Sequence, residues 1–511
     1  MADCSSKVLP VAISSFFYTN SMLAPMCILS MSIVIMIIFS TSKSIPKPHQ
    51  VVWGTEAIMT FISMLFTFLV WFLVHSNRGA YLTGQVKDDV SRKVKLVFLW
   101  IFGLGNILNS GFYMATNIGC LINGGPKPYE GEQFARILCR VIEIFFCIGQ
   151  LGFLSLYGKY RFKSSSLINY GISFMVIAHL LRWCRSFFDS VMEESRMSSM
   201  SNKTTIYDCF YNSVIYISIR KISAPYIGPI IDEYCLLSVA IAIKMFITFD
   251  VGSSIQIEEE ATRQGHSRTG SMIDQLSAVS RNMFEKPRHR QSFIVSIGCG
   301  ITLSIPFLVA YFLPLFNRKL SWIDNITRIP YDLLNLFLLC FGYRQFNLQF
   351  HEKLDRHSEK IIYQPVLIFV TAGAIAYTTF GCIPGVMFLH QTAGRALLVD
   401  KSIQAINIIF QSMLILHVQT FCFKDAKVHV HVACIKVHNT FLCLFVMNII
   451  HWTSITFRKP NSTMSLEIAF YGEDYWRVIM HMTYPIILFY RFLTAIEMYE
   501  LYRKTIIYRQ C

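Results

Sequence analysis

Trp53-Gly-Thr-Glu-Ala-Ile-Met-Thr-Phe-Ile-Ser-Met-Leu-Phe-Thr-Phe-Leu-Val-Trp-Phe-Leu-Val-His75 is a largely apolar run interrupted by one carboxyl, Glu56. A helix needs about 20 such residues to cross the roughly 30 Å hydrocarbon core of a bilayer, and this run is long enough to do so. Eleven further stretches fit the same description: 21–41, 95–120, 135–157, 166–189, 225–249, 292–316, 330–345, 362–389, 401–423, 439–457 and 475–502. The eighth, 330–345, is the shortest. An even number of spans puts both termini in one compartment.

The composition of the 511 residues agrees: 53% are hydrophobic, only 15% are charged, and the mean hydropathy is +0.45. A soluble domain carries about 25% charged residues, so a large soluble enzyme is excluded. Glycine and proline contents of 26 and 16 are ordinary, which excludes disordered and collagen-like chains. The net charge of +15 on so apolar a chain points to membrane-facing loops before nucleic acid. Nothing suggests hydrolase or kinase chemistry: there is no phosphate-binding Gly-rich loop, no Gly-x-Ser-x-Gly and no His-Glu-x-x-His. No cofactor or metal is expected. The apolar run after Lys7 reaches about Ser40 without a small-residue cleavage site, so it is read as including a first anchor.

Of fifteen cysteines, Cys27, Cys139, Cys147, Cys184, Cys299, Cys340 and Cys443 sit in apolar stretches and read as small buried hydrophobes. Cys120 and Cys209 fall near expected external loops and are able to pair. Lys and Arg set the orientation, with runs at Arg78 to Lys95, at Lys159 to Lys163, and across 250–291 on the expected inner side. Three Asn-x-Ser/Thr sequons, at Asn202, Asn325 and Asn461, all fall in expected external loops and are glycosylation candidates. The expected organisation is a cytoplasmic N-terminus 1–20, a six-helix half 21–249, a cytoplasmic linker 250–291, a second six-helix half 292–502 and a cytoplasmic tail 503–511. The linker carries Glu258, Glu259 and Glu260, then Arg263, Arg268, Arg281, Arg288 and Arg290, and reads as a solvated connection.

The halves repeat weakly. Gln150 in the fourth span corresponds to Gln411 in the tenth. His179-Leu-Leu-Arg-Trp183 corresponds to Asn448-Ile-Ile-His-Trp452. Pro229 precedes Tyr234 by five residues, as Pro485 precedes Tyr490. A shift of six spans preserves orientation, so the repeats are parallel. Lipid offers no hydrogen bonds, so these polar groups must face each other or water. An amide, an imidazole and a phenol both donate and accept. They either fasten helices together or form a chain of side chains and waters along which protons move.

Ionisable groups add to the pattern. Arg140 and Glu143, three apart, neutralise each other on neighbouring faces. Glu56 reads as interfacial. Asp232 and Glu233 lie near the start of the sixth span, where the helix dipole favours negative charge. His179 is a packed hydrogen-bonding residue or a proton carrier. His429, His431 and His438, in or beside an inner loop, read as solvated and lack the partners of a metal site.

In the last span, Tyr471-Gly-Glu-Asp-Tyr-Trp476 and His481-Met-Thr-Tyr-Pro485-Ile-Ile-Leu-Phe489-Tyr-Arg-Phe492 resemble the final helix of the otopetrin family of proton channels. Pro229-Ile-Ile-Asp-Glu-Tyr234 resembles that family's Pro-x-x-x-Glu-Tyr. Phe102-Gly-Leu-Gly-Asn106, Gly111-Phe-Tyr113, Trp183 and Trp452 fall in matching order, so the resemblance runs from about residue 95 to the C-terminus. It implies an all-α membrane protein, a homodimer of twelve-helix subunits, each with two barrel-like parallel six-helix halves. It implies proton-selective conduction across the plasma membrane, with Gln150, His179 and Tyr234 as one polar triad and Gln411, Asn448 and Tyr490 as the other. Glu233 is matched to a permeation glutamate between the halves, and Arg491 to a motif position without a stated role. Leu493 and Phe174 stand where the family has histidines, and His179 where it has Asn or Asp, which marks a divergent branch. A proton-coupled secondary transporter with 6+6 architecture is the alternative, although the loop Arg78 to Lys87 lacks the Gly-x-x-x-Asp-Arg-x-Gly-Arg-Arg pattern. A sensory receptor has little support.

Overall fold

The computed structural model describes residues 25–38, 48–85, 91–122, 130–162, 165–197, 221–245, 287–316, 321–351, 365–420, 427–428, 437–456 and 465–510. A helix occupies each of the twelve expected stretches. They are α1 (Pro25–Ile38), α2 (Pro48–Ser76), α3 (Arg92–Ile122), α4 (Glu130–Tyr157), α5 (Ser166–Met197), α6 (Lys221–Met245), α7 (Pro287–Phe316), α8 (Ser321–Gln349), α9 (Pro365–Met387), α10 (Thr392–Thr420), α11 (Val437–Thr456) and α12 (Glu473–Gln510). Short helices Arg78–Tyr81 and Ser465–Tyr471 accompany α2 and α12. Eight of the long helices are long and apolar enough to cross a bilayer: α2, α3, α4, α5, α7, α9, α10 and α12. The protein is an all-α membrane protein.

The run around Trp53–His75 shows why. On α2, Glu56, Thr60, Ser63 and Thr67 are buried, while Ile58, Phe61, Leu65, Phe68, Leu69 and Phe72 are exposed. The spacing of four, three and four puts the polar set on one helical face. That face points into the protein and the apolar one points out, the reverse of a helix solvated by water. The outer faces of α3, α7 and α9 follow suit with Trp100, Ile101, Leu104, Ile294, Val295, Ile301, Ile368 and Phe369. Apolar area on this scale is stable against lipid and not against water.

The chain forms two compact units, neither continuous in sequence. One comprises Met1–Phe246, Pro365–Lys401 and Thr453–Tyr490; the other Ile247–Gln364, Ser402–Trp452 and Arg491–Cys511. In the first, the closest helix contacts run α2 to α4, α4 to α3, α3 to α6, α6 to α5 and α5 back to α2, closing a five-helix ring. From α1, Met36 packs against Val52 of α2 and against Ile177 and Leu181 of α5. Small residues let the ring close tightly. A side chain at Gly152 on α4 would bring its Cβ within 2.6 Å of the Trp71 ring on α2. Gly152→Val is therefore expected to cost about 1–3 kcal/mol by overpacking, measured as a lower thermal midpoint of the detergent-purified protein. An unchanged midpoint would show that α2 and α4 do not meet there.

In the second unit, Phe307 of α7, Tyr331 of α8, and Cys443 and Met447 of α11 form a core. Two small antiparallel ribbons, invisible in the sequence, cap helix ends. β1 (Leu82–Gln85) follows α2 and pairs with β2 (Tyr160–Phe162), which follows α4. β3 (Phe350–His351) follows α8 and pairs with β4 (Lys427–Val428), which follows α10.

Several expectations are corrected. The eighth expected stretch is part of a 29-residue helix, so Asn325 lies inside α8 and not in the loop before it. Its start was hidden by Asp324, Arg328 and Pro330, which dilute the apolar signal. Glu56 is not interfacial: its carboxylate is buried against Arg185. His438 is not solvated but buried within α11, near the Tyr502 ring. Cys27, Cys299 and Cys340 are exposed on outer helix faces, and Cys139 and Cys184 are half-buried, whereas Cys147 and Cys443 are buried as expected. Cys120 carries a disulfide. Cys209, Asn202, Asn461, His429, His431 and the linker through residue 286 lie outside the described residues.

Candidate functional site

Three polar side chains meet inside the ring of the first unit. The Gln150 Oε1 on α4 lies 2.6 Å from His179 Nε2 on α5 and accepts a 2.9 Å hydrogen bond from the Tyr234 hydroxyl on α6. An amide oxygen only accepts, so the His179 tautomer that satisfies this contact carries its proton on Nε2. The His179 and Tyr234 rings meet edge to face, with centroids 5.4 Å apart. In the ring, α4 is flanked by α2 and α3, so both bonds reach across its interior. All three residues are essentially inaccessible. The remaining Gln150 Nε2 and His179 Nδ1 are buried with no hydrogen-bond partner among the described residues. One donor and one acceptor are thus left for water.

Seven residues earlier on α4, about 10 Å along the axis, lies a cluster of charges. The Glu143 carboxylate accepts from Arg140 at 2.9 and 2.7 Å and from the Ser110 hydroxyl at 2.8 Å. It also faces Arg182 at 3.3 Å and Arg185 at 3.8 Å. Arg185 reaches on to Glu56. Trp53 presents its ring to Arg136, Arg140 and Arg185 at 4.9, 5.1 and 4.3 Å, and Tyr113 presents its ring to Arg140 at 4.4 Å. Three guanidinium groups and two carboxylates occupy a buried space, held by cation–π contacts as well as ion pairs. At the other end of the trio, Arg92, Lys95, Leu96, Leu154, Gly158, Ile241 and Lys244 line a cavity of about 20 Å³. The hydrogen-bonding trio is therefore flanked along the ring by cations on both sides.

Of the second expected triad, Gln411 and Asn448 are buried in the second unit and are not hydrogen-bonded to each other. Neither amide atom of Gln411 has a partner among the described residues. Asn448 donates to the Leu444 carbonyl of its own helix at 2.9 Å, leaving its oxygen open. Tyr490 is wholly buried on α12, beside Arg491, the largest side chain so enclosed. Arg491 and Asp332 both act electrostatically on Tyr331, whose hydroxyl donates to the Met447 carbonyl at 2.9 Å. Of the remaining motif residues, Asp232 and Glu233 are buried on α6, Pro229 lies on the same helix, and Pro485 lies inside α12. Trp183 is half-buried, and Trp452 packs against Phe492 with ring centroids 5.4 Å apart. Among the described residues, no three His, Cys, Asp or Glu side chains gather as metal ligands would.

A model of the Otopetrin family matches residues 186–492, more than half of the chain. The chain belongs to the otopetrin family. Otopetrins are membrane channels, and the matched range contains Glu233, Tyr234, Gln411, Asn448, Tyr490 and Arg491. It begins after Gln150 and His179 and ends one residue before Leu493, so it is shorter than the resemblance read from the sequence. No match is found among curated proteins.

Phe174 stacks on Phe66 with centroids 4.9 Å apart, while its carbonyl accepts from Ser63 at 2.6 Å. Leu493 is buried in the last helix. The charge cluster is the largest feature that sequence reasoning missed. Arg182 and Arg185 lie in a largely apolar span, and intramembrane ionisable residues demand partners; the structure supplies Glu56 and Glu143 from other helices.

Proposed function

We propose that this otopetrin is a proton-selective channel of the plasma membrane, carrying H⁺ inward when the outside is acidic. Protons move along water and the two polar sets, Gln150, His179 and Tyr234, and Gln411, Asn448 and Tyr490, with Glu233 contributing to permeation. The observation that carries this reading is the sharing of Gln150 Oε1 by His179 and Tyr234 across the ring. A path built of neutral groups too narrow for a hydrated ion lets protons hop while Na⁺ and K⁺ face an uncompensated dehydration cost.

Twelve spans in two parallel six-helix repeats, paired as a homodimer with both termini cytoplasmic and external sequons glycosylated, complete the proposal. The repeat gains support from the ribbons after α2 and α4 and after α8 and α10. It gains more from a cation ten residues before each glutamine. Arg140 sits 4.4 Å over the Tyr113 ring, and Lys401 sits 4.7 Å over the Tyr377 ring.

Whole-cell recording with protons as the only permeant ion tests the function. The reversal potential should move by about 59 mV per pH unit, the value for one charge per tenfold gradient. A reversal that ignores the proton gradient overturns the proposal, and solute uptake at fixed proton stoichiometry would replace it with a transporter. Glu233→Gln is expected to lower the current several-fold at equal surface expression, because the substitution removes a buried intramembrane charge. An unchanged current would remove Glu233 from the path.

A further inference from the structure

Arg92 and Lys95 open α3 and Lys244 closes α6, and all three line the cavity of about 20 Å³ at one end of the first unit's ring, beside the end of α4. Among the described residues, no carboxylate lines it. Arg92 is fixed there by a 2.9 Å hydrogen bond from Nη2 to the Ser155 carbonyl of α4, and Lys95 is buried. The first turn of α3 carries no acidic residue, although the positive end of a helix dipole favours anions and disfavours cations. Side chains from two helices and the start of α3 therefore direct positive charge at one small enclosed space.

A terminal phosphate matches that space in charge and in size. It carries about −1.5 to −2 charges at neutral pH and three strong acceptor oxygens, which answers three cations. A cavity of this volume holds about one or two waters, so it takes the oxygens of a phosphate and leaves the rest of the molecule outside. A phosphodiester, substituted on both sides, does not enter. Outside the cavity, Val97 and Trp100 of α3 and Leu156 of α4 are exposed and apolar, and Trp100 Nε1 donates to Ser155 Oγ at 3.0 Å. Acyl chains cover such a rim, and basic pockets between membrane helices seat phosphorylated lipid headgroups. We propose that Arg92, Lys95 and Lys244 bind the terminal phosphate of an anionic phospholipid, of the phosphoinositide type, whose chains lie along α3 and α4. The bound headgroup ties together the ends of three helices that are consecutive in the ring, α4, α3 and α6. The site does not depend on the proton-channel reading above.

The test is a titration of the detergent-purified full chain, followed by its thermal midpoint, since a ligand that binds only the folded state raises that midpoint with concentration. Four probes are compared: dioctanoyl phosphatidylinositol bisphosphate, its soluble inositol trisphosphate headgroup, inorganic phosphate and dioctanoyl phosphatidylcholine. The bisphosphate lipid is expected to raise the midpoint saturably and phosphatidylcholine to leave it unchanged. Lys244→Gln, at an exposed position that the fold tolerates, should weaken the apparent Kd about fivefold, the effect of one basic residue facing an anionic headgroup. Lys93→Gln, on the exposed side of the same first turn of α3 and outside the cavity lining, should leave the Kd within about twofold. A Lys93→Gln loss equal to that of Lys244→Gln would mean diffuse attraction to a basic surface and overturn the site. So would a midpoint that no phosphate probe moves, or one that moves equally in Lys244→Gln. Equal binding of the soluble headgroup would overturn the lipid as the occupant.

Discussion

Glu143→Ala is expected to abolish a stable fold. The Glu143 carboxylate holds Arg140 and Ser110 by hydrogen bonds and faces Arg182 and Arg185 within 4 Å. Without it, three buried guanidinium groups share one remaining carboxylate, Glu56, inside a ring of helices. Removing one partner of a buried ion pair costs about 3–5 kcal/mol, because the surviving charge stays desolvated. Against a typical stability of roughly 5–15 kcal/mol, that is enough to deplete the folded protein. The expected result is loss of the monodisperse peak in detergent and of surface expression. The control is Glu473→Gln, whose partner Arg477 lies 3.0 Å away on the surface and whose own side chain is 73% exposed. That pair is worth about 1 kcal/mol or less. Replacing Arg140 and Glu143 together by Met should recover part of the loss, since an apolar pair of similar volume leaves no uncompensated charge. A Glu143→Ala protein that melts within about 1 kcal/mol of wild type would show that the cluster is hydrated and not buried.

How much of this was legible in the sequence follows from which forces act locally. The span of α2 was plain because a bilayer imposes a length on apolar runs, and Glu56, Thr60, Ser63 and Thr67 are too sparse to break it. Gln150, His179 and Tyr234 were visible as polar residues inside apolar helices, and the pairing that unites them agrees with the motif order. Gln411 and Asn448 were equally visible, yet the structure leaves them without a hydrogen bond to one another. Sequence order does not reveal whether polar groups bond directly or leave room for water. The ribbons were unreadable because two to four residues carry no periodic signal. Glu56 was misread because its position, about two turns into α2, resembles an interfacial one until α5 supplies Arg185. Partner choice between helices distant in sequence is a tertiary property, and it determined every misreading of a charged residue here.

Gln150→Leu is expected to break the first-half path while leaving the charge cluster intact. Leucine approximates the volume of glutamine, so the ring of α2 to α6 need not repack. What disappears is the single oxygen that accepts from both His179 Nε2 at 2.6 Å and the Tyr234 hydroxyl at 2.9 Å. Each donor would then be buried with nothing to bond, at roughly 1–3 kcal/mol apiece, so a lower thermal midpoint accompanies the functional loss. Tyr234→Phe removes one donor together with its bond, leaves the His179–Gln150 contact, and is expected to cost about 1 kcal/mol. With two parallel paths, Gln150→Leu alone should remove about half the proton current, and Gln150→Leu combined with Gln411→Leu should abolish it, because each amide links the hydrogen-bonded path of its half. The decisive comparison is made at matched surface expression. If the double variant still carries more than about half of the wild-type current, protons cross this protein by a route that neither glutamine serves, such as one along Glu233.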